Sequence, residues 1–324
     1  MTAPLNLDGT DSTETPPASA ALPTAKAIEG RSLGQIAWMR LKRDRVAIAG
    51  AIFIGFLVIV AVFAPLLATH DPNALNSDLI DPALGGPPRG NFGGISKDHI
   101  FGVEPVNGRD LYSRMVYGAR VSLLIALSAT VVSIVIGAVA GITSGFFGGR
   151  VDSAISRVMD LLLAFPVLIF SIALIAVVEN VNRQILLIGV IGFFGWPYIG
   201  RIIRGQTLSL REREFVDAAR SLGATNGHII FKQLLPNLIA PLLVYATLII
   251  PTNILQEAAL SYLGVGVQPP TSSWGATISG AVAWASTDPM YMVVPGLTLF
   301  SAVLAFNLLG DGLRDALDPR ASRT

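Results

Sequence analysis

The residues of this chain that could perform chemistry are few and lie far apart in the sequence. There is no cysteine, and there are three histidines, His70, His99 and His228. Without cysteine the chain has no disulfide, no thiolate nucleophile and no cysteine-ligated cluster. The wide separation of the histidines argues against a histidine metal centre, whose ligands usually come in short spacings. The sequence therefore predicts no metal site.

Signatures of ATP hydrolysis and of hydrolytic enzymes are also missing. None of the four lysines lies in a G-x-x-x-x-G-K-[ST] motif, and no H-E-x-x-H motif occurs. In the stretch Gly141-Ile-Thr-Ser-Gly145 the serine is in the wrong position for a nucleophile elbow. We expect no catalytic residue, no enzymatic activity and no cofactor in this chain, so any use of ATP requires another subunit.

A polar cluster, Asn253, Gln256 and Glu257, follows a long apolar stretch. Ionisable groups inside a membrane span usually face a cavity or the protein interior. The cluster could meet a substrate, or it could tie helix ends together by internal hydrogen bonds. Trp274 comes shortly after a Pro-Pro pair. Tryptophan is common at the membrane interface, and a re-entrant segment beside a channel is the alternative interpretation. These four residues are the candidates for a translocation path.

These residues belong to a chain that is too apolar to be soluble. Of its 324 residues, 52% are hydrophobic and 14% are charged, whereas soluble domains carry about 25% charged residues. A membrane-spanning helix needs about 20 mostly apolar residues. We expect an all-α integral membrane protein with six transmembrane helices, in the runs Val46–Thr69, Val121–Gly149, Leu161–Val178, Gln184–Gly200, Leu234–Gln256 and Pro289–Gly310.

The distribution of basic residues predicts the orientation of these helices. With both termini in the cytoplasm, 17 of the 23 Lys and Arg residues lie in inner segments and 5 in outer segments, as the positive-inside rule requires. Residues 1–30 are then a disordered cytoplasmic tail without a secretory signal, 31–45 an amphipathic basic helix on the membrane lipid, 46–69 the first span, 70–119 an extracytoplasmic loop, and 314–324 a cytoplasmic tail.

The charged segment between spans four and five, residues 205–233, is expected on the cytoplasmic side. Ser209 and Glu212 have the spacing of a capping box, which predicts a helix from about Leu210. Gly223 stands where a left-handed residue would end that helix. A helix, a glycine and a second helix also outline a DNA-binding motif, but two flanking spans leave no room for nucleic acid. We therefore predict a rigid docking element for a soluble protein.

Within this segment Glu214, Asp217-Ala218-Ala219, Gly223 and, thirteen residues later, Pro236 resemble the EAA loop of bacterial ATP-binding-cassette (ABC) importers. Asp217 replaces the usual Glu and keeps its charge. The resemblance implies that this loop is the coupling helix, which inserts into a groove of an ATPase subunit. It assigns the coupling role to Glu214, Asp217, Ala218, Ala219, Gly223 and Pro236.

Three further stretches, residues 108–123, 255–275 and 307–320, resemble the C-type permease subunits of dipeptide and oligopeptide importers. The resemblance implies a type I importer fold over residues 120–313, in a bacterial inner membrane. It also implies four kinds of partner: a second homologous permease, two ABC ATPase subunits that hold ATP and Mg²⁺, and an extracytoplasmic binding protein. Nickel or glutathione are alternative substrates. A stand-alone secondary transporter is the alternative class, but it would be expected to carry ionisable residues deep in its spans.

Overall fold

A computed structural model describes residues 38–178 and 181–317. Helices dominate these residues, and the long ones pack into a bundle. In chain order the helices are α1 (Arg45–Val62), α2 (Ala64–Leu67), α3 (Leu111–Phe147), α4 (Gly149–Ala164), α5 (Val167–Val177), α6 (Arg183–Arg211), α7 (Glu214–Ser221), α8 (Asn226–Tyr262), α9 (Trp274–Ala281) and α10 (Pro289–Leu317).

Five of the described helices, α1, α3, α6, α8 and α10, are long and apolar enough to cross a membrane. A sixth crossing is possible through α4 and α5, which meet at a bend of 87°. Phe165 is extended there because the ring of Pro166 disfavours a helical conformation in the preceding residue. The predicted span from Leu161 to Val178 is therefore not one continuous helix, because the bend falls inside it. The 11 residues of α5 span only about 16 Å.

The described helices also begin and end elsewhere than the apolar runs do. Helix α3 begins at Leu111 rather than Val121, so residues 111–119 belong to it and not to the preceding loop. Its 37 residues extend over about 55 Å, well beyond the roughly 30 Å hydrocarbon core. Helices α6, α8 and α10 likewise continue past their predicted ends, whereas α1 stops at Val62. Charge-free runs identify the part immersed in lipid, not the helix ends.

The start of the first span has a defined cap. Asp44 accepts hydrogen bonds from the backbone N–H groups of Val46 (2.9 Å) and Ala47 (3.1 Å), which satisfies two free donors of α1. Of the predicted amphipathic helix, residues 38–41 are helical and residues 31–37 lie outside the described residues. The predicted tails, 1–30 and most of 314–324, also lie outside them.

A glycine stripe on α3 allows close contact with α6. A Cβ atom added at Gly137, Gly141 or Gly145 would lie 2.9, 2.6 and 2.8 Å from backbone oxygens of α6. Glycines recur every four residues at 137, 141, 145 and 149 in the sequence, and small residues at this spacing line one helix face and let two helix backbones approach each other. Gly149, the fourth glycine of the stripe, takes no part: it begins α4 with a positive φ of 55°.

The loop between α2 and α3 is held by buried polar contacts. Glu104 forms a buried ion pair with Arg114. The Arg114 guanidinium also donates to the carbonyl oxygens of Pro72 (3.2 Å) and Pro270 (3.4 Å). Burial raises the pKa of the Glu104 carboxyl above its usual range, and the positive charges of Arg114 and Arg109 only partly offset this. This loop is therefore fixed to the start of α3 and to the segment before α9.

Candidate docking element and transport path

Helix α7 lies between the two long helices α6 and α8. Helix α6 continues to Arg211, and α7 begins at Glu214 without a side-chain cap. The predicted helix start at Leu210 is therefore wrong. Glu212, expected in a capping box with Ser209, instead accepts a hydrogen bond from Arg211 at 3.0 Å. Ser209 and Glu212, the two residues with capping-box spacing, therefore lie at the end of α6 and not at the start of a helix.

The end of α7 follows the sequence pattern. Gly223 has a φ of 80°, and its N–H donates to the carbonyl of Arg220 at 2.9 Å. This is the left-handed position at which a glycine ends a helix. Asn226 is a residue type that often caps helices, but the next helix is capped by Thr225: the Thr225 hydroxyl accepts a hydrogen bond from the His228 N–H at 3.3 Å.

The two faces of α7 differ in what they contact. Val216 and Ala219 are buried against the bundle, in an apolar cluster that includes residues of α3, α6 and α8. Phe215, Ala218 and Leu222 are exposed, and Leu222 keeps 89% of its surface free. Of the two alanines to which the resemblance assigns a coupling role, only Ala218 is exposed. Ala219 instead holds α7 to the bundle.

The other predicted coupling residues are exposed. Glu214, Asp217, Gly223 and Pro236 all lie on the surface. Asp217 forms an ion pair with Arg220 at 3.6 Å. Exposed pairs of this kind contribute about 0–1 kcal/mol, so the acidic side chains of α7 are free to meet a partner.

Two ion pairs join α6 to α4. Arg204 contacts both oxygens of the Asp152 carboxylate, at 2.5 and 2.7 Å, and the Ser144 hydroxyl contacts the same carboxylate. Asp160 pairs with Arg201. Helix spacing favours Arg157, three residues before Asp160, as its partner, and this interpretation of the sequence is wrong because Arg201 takes that place. The two pairs tie the last turns of α6, next to α7, to the first arm of the bent span.

A cavity of about 690 Å³ opens between α5, α6 and α8. Asn253 and Gln256 line it together with aromatic and aliphatic side chains. The Asn253 side chain donates to the Thr130 hydroxyl at 2.9 Å, whereas the buried Gln256 Nε2 has no hydrogen-bond partner. The lining residues are Val167, Leu168, Phe194, Gly195, Tyr198, Tyr245, Leu248, Ile249, Thr252, Asn253, Leu255, Gln256 and Ala259.

The other two path candidates lie behind the cavity wall. Glu257 is fully buried and accepts hydrogen bonds from Ser122 (2.8 Å) and Ser261 (2.7 Å). Trp274 is also buried; its backbone N–H donates to the Ser122 hydroxyl at 3.2 Å and its indole to the Met115 carbonyl at 3.3 Å. Of the two alternatives drawn from the sequence, substrate contact and internal hydrogen bonding, the second applies to Glu257. Both residues fasten α8 and α9 to α3 and do not line the cavity.

Sequence reasoning missed two groups of polar residues. One is the contact of Asp152 with Arg204, 52 residues apart. The other brings His70 and His99 together at Asp110, where the three side chains offer ligand atoms within 4.8 Å of one another. The argument from sequence separation therefore fails for two of the histidines. Contacts between segments that are distant in sequence form only on folding, and they leave no periodic pattern in a single sequence.

Comparisons with known proteins agree with this architecture. The family described as "Binding-protein-dependent transport system inner membrane component" matches residues 133–323, and the "N-terminal TM domain of oligopeptide transport permease C" matches residues 32–87. The dipeptide transport system permease protein DppC of Alkalihalophilus pseudofirmus is 38% identical over 285 residues, which cover 88% of this chain and 89% of the relative.

A second relative and a solved structure extend the comparison. The glutathione transport system permease protein GsiD of Escherichia coli O6:K15:H31 is 38% identical over 300 residues, covering 93% of this chain and 95% of the relative. An inward-facing structure of the MetNI methionine ABC transporter matches with a TM-score of 0.51 and 20% identity, over 63% of this chain and 95% of the matched chain. That structural likeness concerns the fold.

Proposed function

Because the chain belongs to the family of binding-protein-dependent transport system inner membrane components, we propose that it forms, with a second permease, the path by which an ABC importer takes up dipeptides or short oligopeptides. The chain is a multi-pass permease subunit of a bacterial inner membrane. Its relatives are named for dipeptide and for glutathione transport, and glutathione is itself a tripeptide.

The observation that carries the proposal is the position of α7. It is a short, exposed helix joined directly to α6 and α8, the two helices that supply most of the cavity lining. Its outer face presents Phe215, Ala218 and Leu222, with Glu214 and Asp217 beside them. An apolar patch with charges beside it suits a protein partner. The partner proposed here is an ATPase subunit, which would bind ATP and Mg²⁺.

The contacts of α7 suggest how ATPase movement would reach the path. Val216 and Ala219 fix α7 to the bundle, so a displaced α7 would carry the adjoining ends of α6 and α8 with it. The ion pairs from Arg204 and Arg201 would pass the movement of α6 to α4. Helix α4 continues at the bend into α5, which lines the cavity. An outward-facing path would then receive substrate from an extracytoplasmic binding protein.

This mechanism requires α7 on the cytoplasmic side of the membrane. The chain has no cysteine, so Leu222→Cys and Leu84→Cys each introduce a single thiol, and both leucines are exposed, by 89% and 74%. A membrane-impermeant maleimide is expected to label the first only in inside-out vesicles and the second only in right-side-out vesicles. Labelling in the reverse pattern would contradict the orientation.

The side chains that line the cavity suit a path that carries no charge of its own or that recognises the peptide backbone of its substrate. None of the described residues that line it is charged, and its polar groups are amides and hydroxyls of side chains such as Asn253, Gln256 and Thr252. Amide groups can pair with the donors and acceptors of a peptide bond. In the assembled transporter, uptake of a labelled dipeptide should fall when unlabelled dipeptides are added. Competition by Ni²⁺ and not by peptides would contradict the proposed substrate.

The docking role is tested by placing a charge on the outer face of α7. Leu222→Asp should abolish co-purification of the ATPase subunits and ATP-driven uptake, because it places a charge in the apolar patch that would meet the ATPase. The bundle itself should stay folded, since the Leu222 side chain is almost fully exposed. Leu263→Asp is the matched control: Leu263 is 52% exposed and follows the opposite end of α8. Normal ATPase recovery with Leu222→Asp, or equal loss with Leu263→Asp, would refute docking at α7.

A further inference from the structure

The end of the bundle opposite α7 carries a cluster of two histidines and one aspartate. His70 follows the first span, His99 lies in the long loop, and Asp110 caps the start of α3. Arg211, at the end of α6 beside α7, reaches the carbonyls of Gly145 and Phe146 at the end of α3. Asp110 is therefore separated from α7 by the full length of α3, about 55 Å.

The three side chains are held close together. The His99 Nδ1 atom lies 2.8 Å from the Asp110 Oδ1 atom, and the His70 Nδ1 atom lies 4.0 Å from the same oxygen. The two imidazole rings stack with their centroids 4.6 Å apart. One nitrogen from each ring and a carboxylate oxygen lie within 4.8 Å of one another.

We propose that His70, His99 and Asp110 form a binding site for a divalent transition-metal ion of the zinc class. Two imidazole nitrogens and one carboxylate oxygen are a donor set that zinc accepts with a water molecule as the fourth ligand. Imidazole nitrogens favour Zn²⁺ and its transition-metal neighbours over Mg²⁺ and Ca²⁺, which prefer oxygen ligands.

The shifts needed at the Asp110 carboxylate to bind the ion are small. Metal–ligand bonds of about 2.1 Å at tetrahedral angles place neighbouring ligand atoms about 3.4 Å apart. The His99–Asp110 contact of 2.8 Å must open by about 0.6 Å, and the His70–Asp110 separation of 4.0 Å must close by about as much. The ion would replace the direct contact between His99 and Asp110.

The surroundings favour a site that is fixed on one side and accessible on the other. The Asp110 Oδ2 atom accepts a hydrogen bond from the Ser113 N–H at 2.7 Å, which leaves Oδ1 for the ion and orients the carboxylate. The Asp110 side chain is fully buried, whereas that of His70 is 37% exposed. His70 also lines a cavity of about 630 Å³, through which an ion and its water can enter.

The backbone near the two histidines is tied down as well. The His70 N–H donates to the Ser113 hydroxyl at 3.1 Å, and the His99 N–H donates to the Ser96 hydroxyl at 3.0 Å. A bound ion would join three segments at one point: the end of the first span, the loop, and the first turn of α3. Its role would be to fasten the loop to the bundle.

The test uses the assembled transporter in lipid nanodiscs, purified without a histidine tag and stripped with a chelator. Co²⁺ is the probe, because tetrahedral nitrogen and oxygen ligands give it characteristic visible absorption. His70→Gln and His99→Gln should each lose one Co²⁺ equivalent per permease chain. His228→Gln is the control, since His228 is the third histidine and lies in the first turn of α8; it should keep the full amount, and excess Mg²⁺ should not displace the ion.

A measurement on the unaltered transporter guards against misfolded variants. X-ray absorption of one bound Zn²⁺ equivalent should show two imidazole ligands and light oxygen ligands. A wild-type melting temperature that rises with Zn²⁺, but not in His70→Gln, would support the fastening role. Equal Co²⁺ binding by wild type and His70→Gln, or a zinc shell without imidazole, would overturn the proposal and leave a hydrogen-bonded cluster.

Discussion

Arg204 on α6 holds the Asp152 carboxylate on α4 through two contacts, of 2.5 and 2.7 Å. This pair stands two turns from the end of α6, beside α7, and joins it to the first arm of the bent span. It gives movement of α7 a route through α4 to the cavity-lining residues of α5, beside the direct contact of Phe194 on α6 with Phe170 on α5.

Asp152→Asn should uncouple ATP hydrolysis from uptake. The neutral amide cannot hold Arg204 by charge, and a charge-assisted bidentate contact is about twice as strong as a neutral one. We expect uptake to fall by about tenfold or more, a free-energy loss of about 1.4 kcal/mol, while ATPase subunits still co-purify. The measurement is ATP-driven uptake in proteoliposomes.

Asp160→Asn is the matched control because it joins the same two helices through Arg201. Its side chain is 66% exposed and that of Arg201 is 56% exposed, so a smaller loss is expected. Equal uptake by Asp152→Asn and wild type would remove α4 from the proposed transmission.

Gly223 should tolerate asparagine and not valine. Its φ of 80° is strained for a β-branched residue and accessible to Asn, and nothing lies within 4 Å of an added Cβ. The difference therefore comes from the backbone alone. Gly223→Val should weaken ATPase co-purification severalfold, and Gly223→Asn should stay near wild type. Similar recovery for both variants would show that the left-handed stop is not required.

Gly141→Ala should destabilise the bundle. The new methyl group would meet the Gly200 carbonyl oxygen at 2.6 Å, and backbone cannot move aside cheaply, so a cost of about 1–3 kcal/mol is expected. Gly189→Ala on α6 is the control, because nothing lies within 4 Å of its added Cβ. Thermal unfolding in detergent should show a lower melting temperature for Gly141→Ala alone.

Glu104→Gln should loosen the loop before α3. Removing one partner of a buried ion pair leaves the other charge uncompensated, at a cost of about 3–5 kcal/mol. Arg114 and Glu104 expose only 5% and 4% of their side chains. Proteolysis within residues 70–110 should accelerate. The exposed pair of Arg211 and Glu212 is the comparison, and Glu212→Gln should leave the cleavage rate unchanged.

The sequence predicts the membrane-immersed helices and misplaces their ends. Apolar runs report contact with lipid, so α6 and α8 are recognised, but their continuation beyond the membrane depends on packing. The glycine stripe on α3 and the stop at Gly223 are predicted because one residue type suits each position. A kink at Pro166 is predictable from the proline itself, but the apolar run that continues through it gives no sign of a bend as sharp as 87°.

Contacts between distant segments could not be predicted in the same way. Asp160 pairs with Arg201, 41 residues away, rather than with the nearby Arg157, because α6 lies against α4 in the bundle. The inward direction of Ala219 depends on the cluster around Ile229 and Leu234, which forms only once α8 folds back. Glu257 and Trp274 both hydrogen-bond to Ser122 on α3, more than 130 residues away in the sequence.

The central claim is that α7 is held by an ATPase subunit, and Ala218 reports it most directly. Ala218 is exposed on α7, and the chain has no cysteine, so Ala218→Cys gives one thiol. In the assembled transporter, a photoreactive cross-linker on this thiol should capture an ATPase subunit in high yield. Capture of lipid or of the second permease, with no ATPase product, would contradict the account.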